Sequence, residues 1–318
     1  MDSIESASSI TGGEQSASGY AHADYAAALS EFGSPRLLPN SRGWILERKI
    51  PGSSYVDAMG CYPLFTCLDW SQLKTDLDNT SSDLVCLSLV TDPFGEFDEN
   101  YLRECFPDVT VDFKQHFVTD LSRPLDTFIH SNHRRNARRA LVEMQIEKCA
   151  NPEEFLDDWA ALYRTLVARH EITGILTFSR ESFARQLKVP GKAAFRAVRD
   201  GATLGMLLWY EQGNRAYYHL GAYSPEGYDL RASFALFSYS IEYFAAQGIK
   251  WLGLGAGAGS GAESNSGLSR FKQGWATGTR TAYFCGRIFD REKYEEIVAA
   301  RNLAPTKYFP AYRAGEFA

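Results

Sequence analysis

Three strand-like stretches, AAFRAVRD (193–200), ATLGMLLWYE (202–211) and NRAYYHLGAY (214–223), follow one another through DG and QGN turns. Turns this short suit antiparallel hairpins, so the stretch predicts a meander. A helical pattern then runs from about Leu230 to Gln247 and closes on Gly248, a C-terminal cap, before the strand IKWLGLG. Helix and strand after a meander imply a parallel crossover, and hence an α/β chain.

The remaining texture agrees. In the first half, from GWILERKI onward, strand-like LVCLSLV and VTVDFKQHFV alternate with helical SQLKTDLDN and DENYLRECF. One helix is predicted over 122–143, with Ser122 as cap, Pro124 in the first turn and Leu125, Phe128, Ile129, Asn132, Asn136 and Ala140 along one face. A second opens at Asn151 and Pro152, where Glu154 completes a capping box and Phe155, Trp159, Leu162, Tyr163, Leu166 and Val167 form a buried stripe. Short helices are expected at SRESFARQL and LSRFKQGW, and a last strand at TRTAYFCGRIF.

Composition narrows the function classes. With 318 residues, 45% of them apolar and 14% aromatic, the chain can bury a sizeable core. A net charge of -6 exerts no overall pull toward nucleic acid, so an anionic partner would need a local basic patch. Cys61, Cys67, Cys86, Cys105, Cys149 and Cys285 show neither CxxC nor zinc spacing and read as buried reduced thiols. His130 and His133 have no identifiable acidic or Cys partner, so no metal is expected. The start lacks a basic and apolar leader and no eighteen apolar residues run together, which predicts a cytoplasmic chain without a membrane span. Residues 1–20 are rich in Ser, Gly and Glu, and 1–38 is expected to be a disordered tail.

The Gly-rich stretch LGLGAGAGSGAESN (252–265) contains a G-x-G-x-x-G/A match from Gly257 to Ala262. A dinucleotide fingerprint needs a helix that begins within the glycines and an acid about 20 positions on. Here AESNSG intervenes, TGTR holds no acid, and no Lys-Ser or Lys-Thr follows to make a P-loop. The stretch reads as a substrate-gating loop or as a plain connection.

From residue 142 the order is strand, helix, helix, three strands, long helix, strand, Gly-rich loop, short helix, strand. This order, together with NHRRNARRA, YYHLGAYSPE, AAQGIKWLGLG and GLSRFKQGW, resembles the FemAB-like branch of the GNAT acyltransferase superfamily over about residues 113–290. The resemblance implies an α/β (α+β) GNAT fold, a mixed central sheet with splayed strands, built as two halves of which the N-terminal one is degenerate. The halves are expected at 39–141 and 142–302, with a C-terminal extension at 303–318. It implies transfer of an acyl or aminoacyl group onto a primary amine of a small-molecule or peptide acceptor. The donor would be a co-substrate and no cofactor tightly bound, with charged tRNA favoured over acyl-CoA and no DNA partner. The CoA-type pattern Q/R-x-x-G-x-G/A is reduced here to SPEGYDLRAS with the lone Gly227. The alternative is a non-catalytic GNAT-like protein that holds an anionic ligand.

By the same resemblance AYYHLGAY and WLGLG, including Gly255, wall the reaction cleft, and backbone amides near His219, Leu220 and Gly221 are candidate oxyanion donors. Lys272, in RFKQGW, corresponds to a Phe-Lys pair near the reacting carbonyl and is expected to stabilise the oxyanion; otherwise it is a solvated helix lysine. Tyr218 and His219 alternate, so one faces the cleft and the other the core, with His219 a catalytic candidate. Arg231 and Ser233 open the long helix and would hold a phosphate or carboxylate, or serve only as cap and surface charge. His170 and Glu171 would border the acceptor, Glu171 as the catalytic candidate for the amine proton, or be plain loop charges. Arg134, Arg135, Arg138 and Arg139 lie in a stretch with no acid between Asp126 and Glu143. Such crowding calls for an anion, namely a tRNA backbone, a nucleotide-linked precursor or acids elsewhere in the chain, and Arg134 and Arg138 are the donor-binding candidates.

Overall fold

The computed structural model describes residues 17–80, 83–257, 266–301 and 306–316. Its strands are β1 (Ser34–Leu38), β2 (Gly43–Lys49), β3 (Val56–Gly60), β4 (Leu84–Val90), β5 (Val109–Asp120), β6 (Gln145–Lys148), β7 (Lys192–Arg199), β8 (Ala202–Gln212), β9 (Arg215–Tyr223), β10 (Trp251–Gly255) and β11 (Gly278–Ile288). The helices are α1 (Ala23–Ala28), α2 (Leu73–Asp78), α3 (Glu99–Cys105), α4 (Leu125–Phe128), α5 (Ser131–Glu143), α6 (Leu156–His170), α7 (Arg180–Gln186), α8 (Pro225–Asp229), α9 (Ala232–Ala246), α10 (Gly267–Gln273) and α11 (Arg291–Ala300).

All of these strands form one sheet in the order β1-β2-β3-β4-β11-β5-β10-β9-β8-β7-β6. The expected meander is present, β7 to β8 to β9, and α9 carries the chain over to β10, which is parallel to β9. The same motif recurs in the N-terminal half, where β1, β2 and β3 are antiparallel and β4 is parallel to β3. Each half ends on a strand that pairs inside the other half: β5 lies against β10, β11 lies against β4, and the two pair with each other. The two-half mixed sheet is therefore a single hydrogen-bonded body.

Helix α9 is almost wholly apolar and buries Ala235, Leu236, Phe237, Ile241 and Phe244. Phe237 and Phe244 meet Trp209 of β8 at 5.9 and 5.1 Å between ring centroids. The core on this face also takes Trp275 and the partly buried Phe271 beside α10. The opposite face of the same strands packs Trp159, Tyr163, Phe178 and Phe183 together with Leu46, Met59 and Phe94 from the N-terminal half. All six cysteines are buried and free. Among the described residues no helix is long and apolar enough to cross a membrane.

Three expectations are corrected. The disordered tail does not extend to residue 38: α1 and β1 are formed, and Tyr20 and Tyr25 are buried with ring centroids 4.9 Å apart. Tyr25 donates to the Tyr62 carbonyl at 2.5 Å and Ser182 to the Ala28 carbonyl at 2.7 Å, and Tyr20, Ala26, Ala28 and Leu29 are buried, so the alanine-rich segment 20–38 carries a core of its own. Residues 1–16 lie outside the described residues. The helix expected over 122–143 is broken into α4 and α5, because Ile129 is extended and the His130 amide donates to the Gly274 carbonyl at 2.9 Å. The capper is His130 rather than Ser122, whose hydroxyl bonds Asp120 instead. Asn151 likewise caps nothing; its amide donates to Glu154.

The C-terminal segment closes on the N-terminal half. Arg313 donates Nε and Nη2 to the two oxygens of the fully buried Asp57 at 2.6 and 2.8 Å, and Tyr312 donates to the same carboxylate at 3.0 Å. The buried Arg48 also faces Asp57, with its Nε 3.4 Å from the carboxylate, so removing Arg313 takes away the bidentate partner without leaving the charge alone. Arg313→Ala is expected to lose about 1.5–3 kcal/mol in urea unfolding of the full chain, and Arg313→Lys to recover only part of it, since an ammonium cannot reproduce the fork.

Candidate functional site

The parallel pair β9 and β10 is hydrogen-bonded at its start and open at its end. Pairing covers Arg215 with Trp251, Ala216 with Leu252 and Tyr217 with Gly253, and stops there. Two local features explain the fork. Gly255 ends β10 at φ 74, a left-handed conformation that favours glycine, and turns the chain away. On β9, Tyr218 opposes Trp209 while Leu220 opposes Leu208, so His219 is an extra, bulged residue. From Tyr218 onward β9 pairs with β8 on one side only, among the described residues, and its free edge carries backbone amides suited to a developing oxyanion.

Among the described residues the N-terminal half has no such opening. Past the end of β3 its chain returns, and Phe65 takes the place of a continuing strand, donating to the Val90 carbonyl at 2.6 Å and accepting from the Asp92 amide at 2.9 Å.

Lys272 reaches the fork from α10, whose N-terminus is capped by Ser266 accepting from the Ser269 amide. It is buried, its Nζ donates to the Ala256 carbonyl at 2.7 Å, and Nζ lies 5.5 Å from the Tyr218 ring. A Cβ on Gly255 would sit 3.1 Å from Nζ, so the glycine leaves room for the ammonium as well as turning the chain. Burial, and secondarily the charge of Lys114, pull the Lys272 pKa down to about 7. His116 beside this pair is pushed to about 3 by burial and then by both lysines, and is therefore neutral. A solvated helix lysine has none of these properties.

Three residues that sequence reasoning passed over complete the arrangement. His133, considered only as a metal ligand, donates Nε2 to the Phe271 carbonyl at 2.9 Å and packs between Phe234, Phe271 and Trp275. A Cβ on Gly274 would come within 2.3 Å of the His133 ring, so α5 and α10 are fitted together around this imidazole. No periodicity marks a histidine for such a task. Tyr223 joins Tyr218: a Cβ on Gly221 would meet the Tyr218 hydroxyl at 2.5 Å and the Tyr223 hydroxyl at 3.1 Å. Tyr228 continues the row at 5.4 Å from Tyr223, and Arg169 at the end of α6 covers Tyr228 at 4.2 Å.

The other candidates fall into separate groups. His219 faces the opposite side of the sheet, where it accepts from Tyr20 at 3.0 Å through Nδ1 and, with the tautomer assigned from this network, donates through Nε2 to Gln186 at 2.9 Å. Burial drives its pKa down to about 3, and both nitrogens are engaged, so it is a satisfied core histidine and not a partner of Lys272. Leu220 packs on that same side. His170 and Glu171 are exposed at the end of α6, Glu171 as its left-handed cap residue. Arg231 is the left-handed N-cap residue of α9 and donates to Asn136 of α5 at 2.7 Å, with the half-buried Ser233 in the first turn. Arg134 bonds the Asp126 carbonyl and Arg135 bonds Asn132. None of Arg134, Arg135, Arg138 and Arg139 pairs with a carboxylate among the described residues, which leaves α5 an uncompensated basic face. The Gly-rich residues 258–265, expected to gate substrate, lie outside the described residues.

Residues 129–273 match the family model described as Acetyltransferase (GNAT) domain. No curated protein matches the chain by sequence. Among solved structures, FemX is similar at 15% identity and TM-score 0.65, over 86% of this chain and 93% of that one. The C-terminal domain of a putative lysylphosphatidylglycerol synthetase from Agrobacterium fabrum is similar at 13% identity and TM-score 0.58, over 83% and 87%. L-PGS from Bacillus licheniformis is similar at 15% identity and TM-score 0.52, over 91% and 99%. At these identities the structural likenesses establish the fold.

Gly274→Ala is expected to displace α10 while leaving the sheet intact. NMR titration of the labelled Lys272 side chain should give a pKa near 7 in the parent and a value moved toward about 10.4, that of a free lysine, in Gly274→Ala. An unmoved pKa would show that His133 does not position Lys272.

Proposed function

We propose that this chain, which carries a GNAT domain on a FemX-like fold, moves an acyl or aminoacyl group from an activated donor onto a primary amine in the fork between β9 and β10. The observation that carries the reading is Lys272, a buried ammonium set where the two strands part. The acceptor nitrogen attacks the donor carbonyl, a C–N bond forms, and negative charge develops on the carbonyl oxygen. Amides of the free edge of β9 and the Lys272 ammonium answer that charge, and collapse of the intermediate expels the donor's leaving group, which takes up the proton given up by the attacking amine. In the empty fork the ammonium is disfavoured by burial, which is why its pKa falls to about 7. An arriving oxyanion reverses the preference, so the interaction is worth more in the transition state than in the ground state.

Charged tRNA is the favoured donor over acyl-CoA. Gly227, the one glycine left of the CoA-type pattern, is committed to packing, since a Cβ there would lie 2.0 Å from the Leu204 carbonyl oxygen. The basic face of α5, joined to the start of α9 through Arg231 and Asn136, suits a polyanionic donor, with Arg134 and Arg138 on phosphates. The likeness to FemX and to lysylphosphatidylglycerol synthetases supports aminoacyl transfer. A cytoplasmic setting, where charged tRNA is found, belongs to the same proposal. Glu171 and His170 stay at its margin as surface groups near the end of the tyrosine row.

The test incubates the full chain with charged tRNA or acetyl-CoA and a panel of amines. Lys272→Met is expected to lower kcat by about 10²–10³. It should also raise Tm at pH 7 by at least ~2 °C. The sign follows from linkage: with a folded pKa of about 7 below the unfolded value, the unfolded state holds the extra proton between those values. Stability therefore rises with pH across that window, and at pH 7 and below the buried lysine burdens the fold. Unchanged kcat in Lys272→Met would overturn the reading, and tight anion binding without transfer from either donor would favour the non-catalytic alternative. For the donor, Arg138→Glu should raise KM for charged tRNA, flatten its salt dependence and leave KM for acetyl-CoA unchanged.

A further inference from the structure

On the face of the sheet away from α9, a second cation sits beside the fork. Arg280 of β11 places its Cζ 4.8 Å from the centroid of Phe94 and 4.8 Å from that of Trp251. The two rings are 5.9 Å apart and tilted by 54°, so they form an aromatic corner that receives the guanidinium. The corner is itself fixed. Phe94 is buried and its amide donates to Asp92 at 2.9 Å, and a Cβ on Gly253 would touch the Phe94 ring at 3.3 Å. Gly253 is the last residue of β10 paired with β9, so the corner abuts the point where the fork opens.

The carboxylates of this neighbourhood are already used. Asp92 accepts from Tyr217 at 2.7 Å and from Thr66 at 3.1 Å, and Glu96 answers Arg215, whose Cζ also lies over Phe94 at 5.5 Å. Arg280 is exposed and has no hydrogen-bond or carboxylate partner among the described residues. An arginine seated against two rings, with no hydrogen-bond partner of its own among the described residues, is preorganised for a planar or tetrahedral anion. Its Cα is opposite His116 on β5, and Phe117 of β5 is opposite Gly255, the residue against Lys272. The Arg280 guanidinium thus reaches back over β5 to Trp251 of β10, the strand whose end adjoins Lys272.

We propose that Arg280, seated on Phe94 and Trp251, binds an anionic group, carboxylate or phosphate, carried by the amine acceptor. The proposal rests on the acyl-transfer reading for the word acceptor, and on the aromatic corner alone for the anion. It gives the site a polarity: the donor is met by the basic face of α5 on one side of the sheet, and the acceptor's anion by Arg280 on the other. An amine that carries an acidic substituent is then the acceptor class this fork selects.

Isothermal titration of the full chain with paired probes tests it. One arm compares trialanine with trialanine amide, and the other compares phosphoethanolamine with ethanolamine. In at least one arm the anionic member should bind roughly 10- to 100-fold more tightly than its neutral partner. The arm that responds tells carboxylate from phosphate. Arg280→Ala should erase the difference, and Arg280→Lys should keep only part of it. Equal binding of charged and neutral probes in both arms, or a preference that survives in Arg280→Ala, overturns the proposal. The same probes as acceptors separate the two readings: an Arg280-dependent preference without turnover supports this subsite and sinks transfer. Turnover with a KM for charged acceptors unmoved by Arg280→Ala sinks the subsite and leaves transfer standing.

Discussion

The antiparallel pairing of β5 with β11 carries the rest of the molecule. Each strand is the last of its own half, yet each completes the other half's side of the sheet, β5 against β10 and β11 against β4. Strand β10 therefore has a firm antiparallel neighbour on one edge while its other edge is free to leave β9 after Gly253. A fork of this kind closes or frays when the strand on its far side is loose. Here that strand is β5 of the N-terminal half, whose Phe117–Asp120 pair with β10 and which also sets Lys114 and His116 beside Lys272.

Within the fork, energy is spent on purpose. A buried lysine bonded to one carbonyl and resting over one tyrosine ring is poorly compensated, and its depressed pKa measures the deficit. The surroundings hold the strain in place: Ser266 starts α10, His133 grips the Phe271 carbonyl, and Gly255 and Gly274 leave the space that the lysine and the imidazole occupy. Such a local sacrifice is tolerable because the flanking cores are dense in aromatic residues on both faces of the sheet.

Much of this was legible in the amino-acid sequence. The meander, the apolar helix ending at Gly248 and the following strand stand where periodicity and turn chemistry put them. Alternation also foresaw that Tyr218 and His219 would part, one to the fork and one to the core. It could not say which, because a bulge shifts the parity of β9 and leaves no mark in composition. The break between α4 and α5 was hidden for a similar reason: it depends on the His130 amide meeting the Gly274 carbonyl, far away in the chain. Tyr20 and Tyr25, with the buried alanines of α1, order the segment after residue 17, beyond the Ser- and Gly-rich start on which the disorder expectation rested. Arg280 gave no signal at all, since its two rings come from different strands and loops.

The sealed opening in the N-terminal half bears on numbers as well as on shape. In the N-terminal half Phe65 fills the place that β9 and β10 leave vacant, so among the described residues the repeated motif retains a single open fork. On the proposed transfer reading one chain engages one donor at a time, and titration with a tight donor analogue has an endpoint of one equivalent. Through β5 the N-terminal half frames the fork that the C-terminal half keeps open.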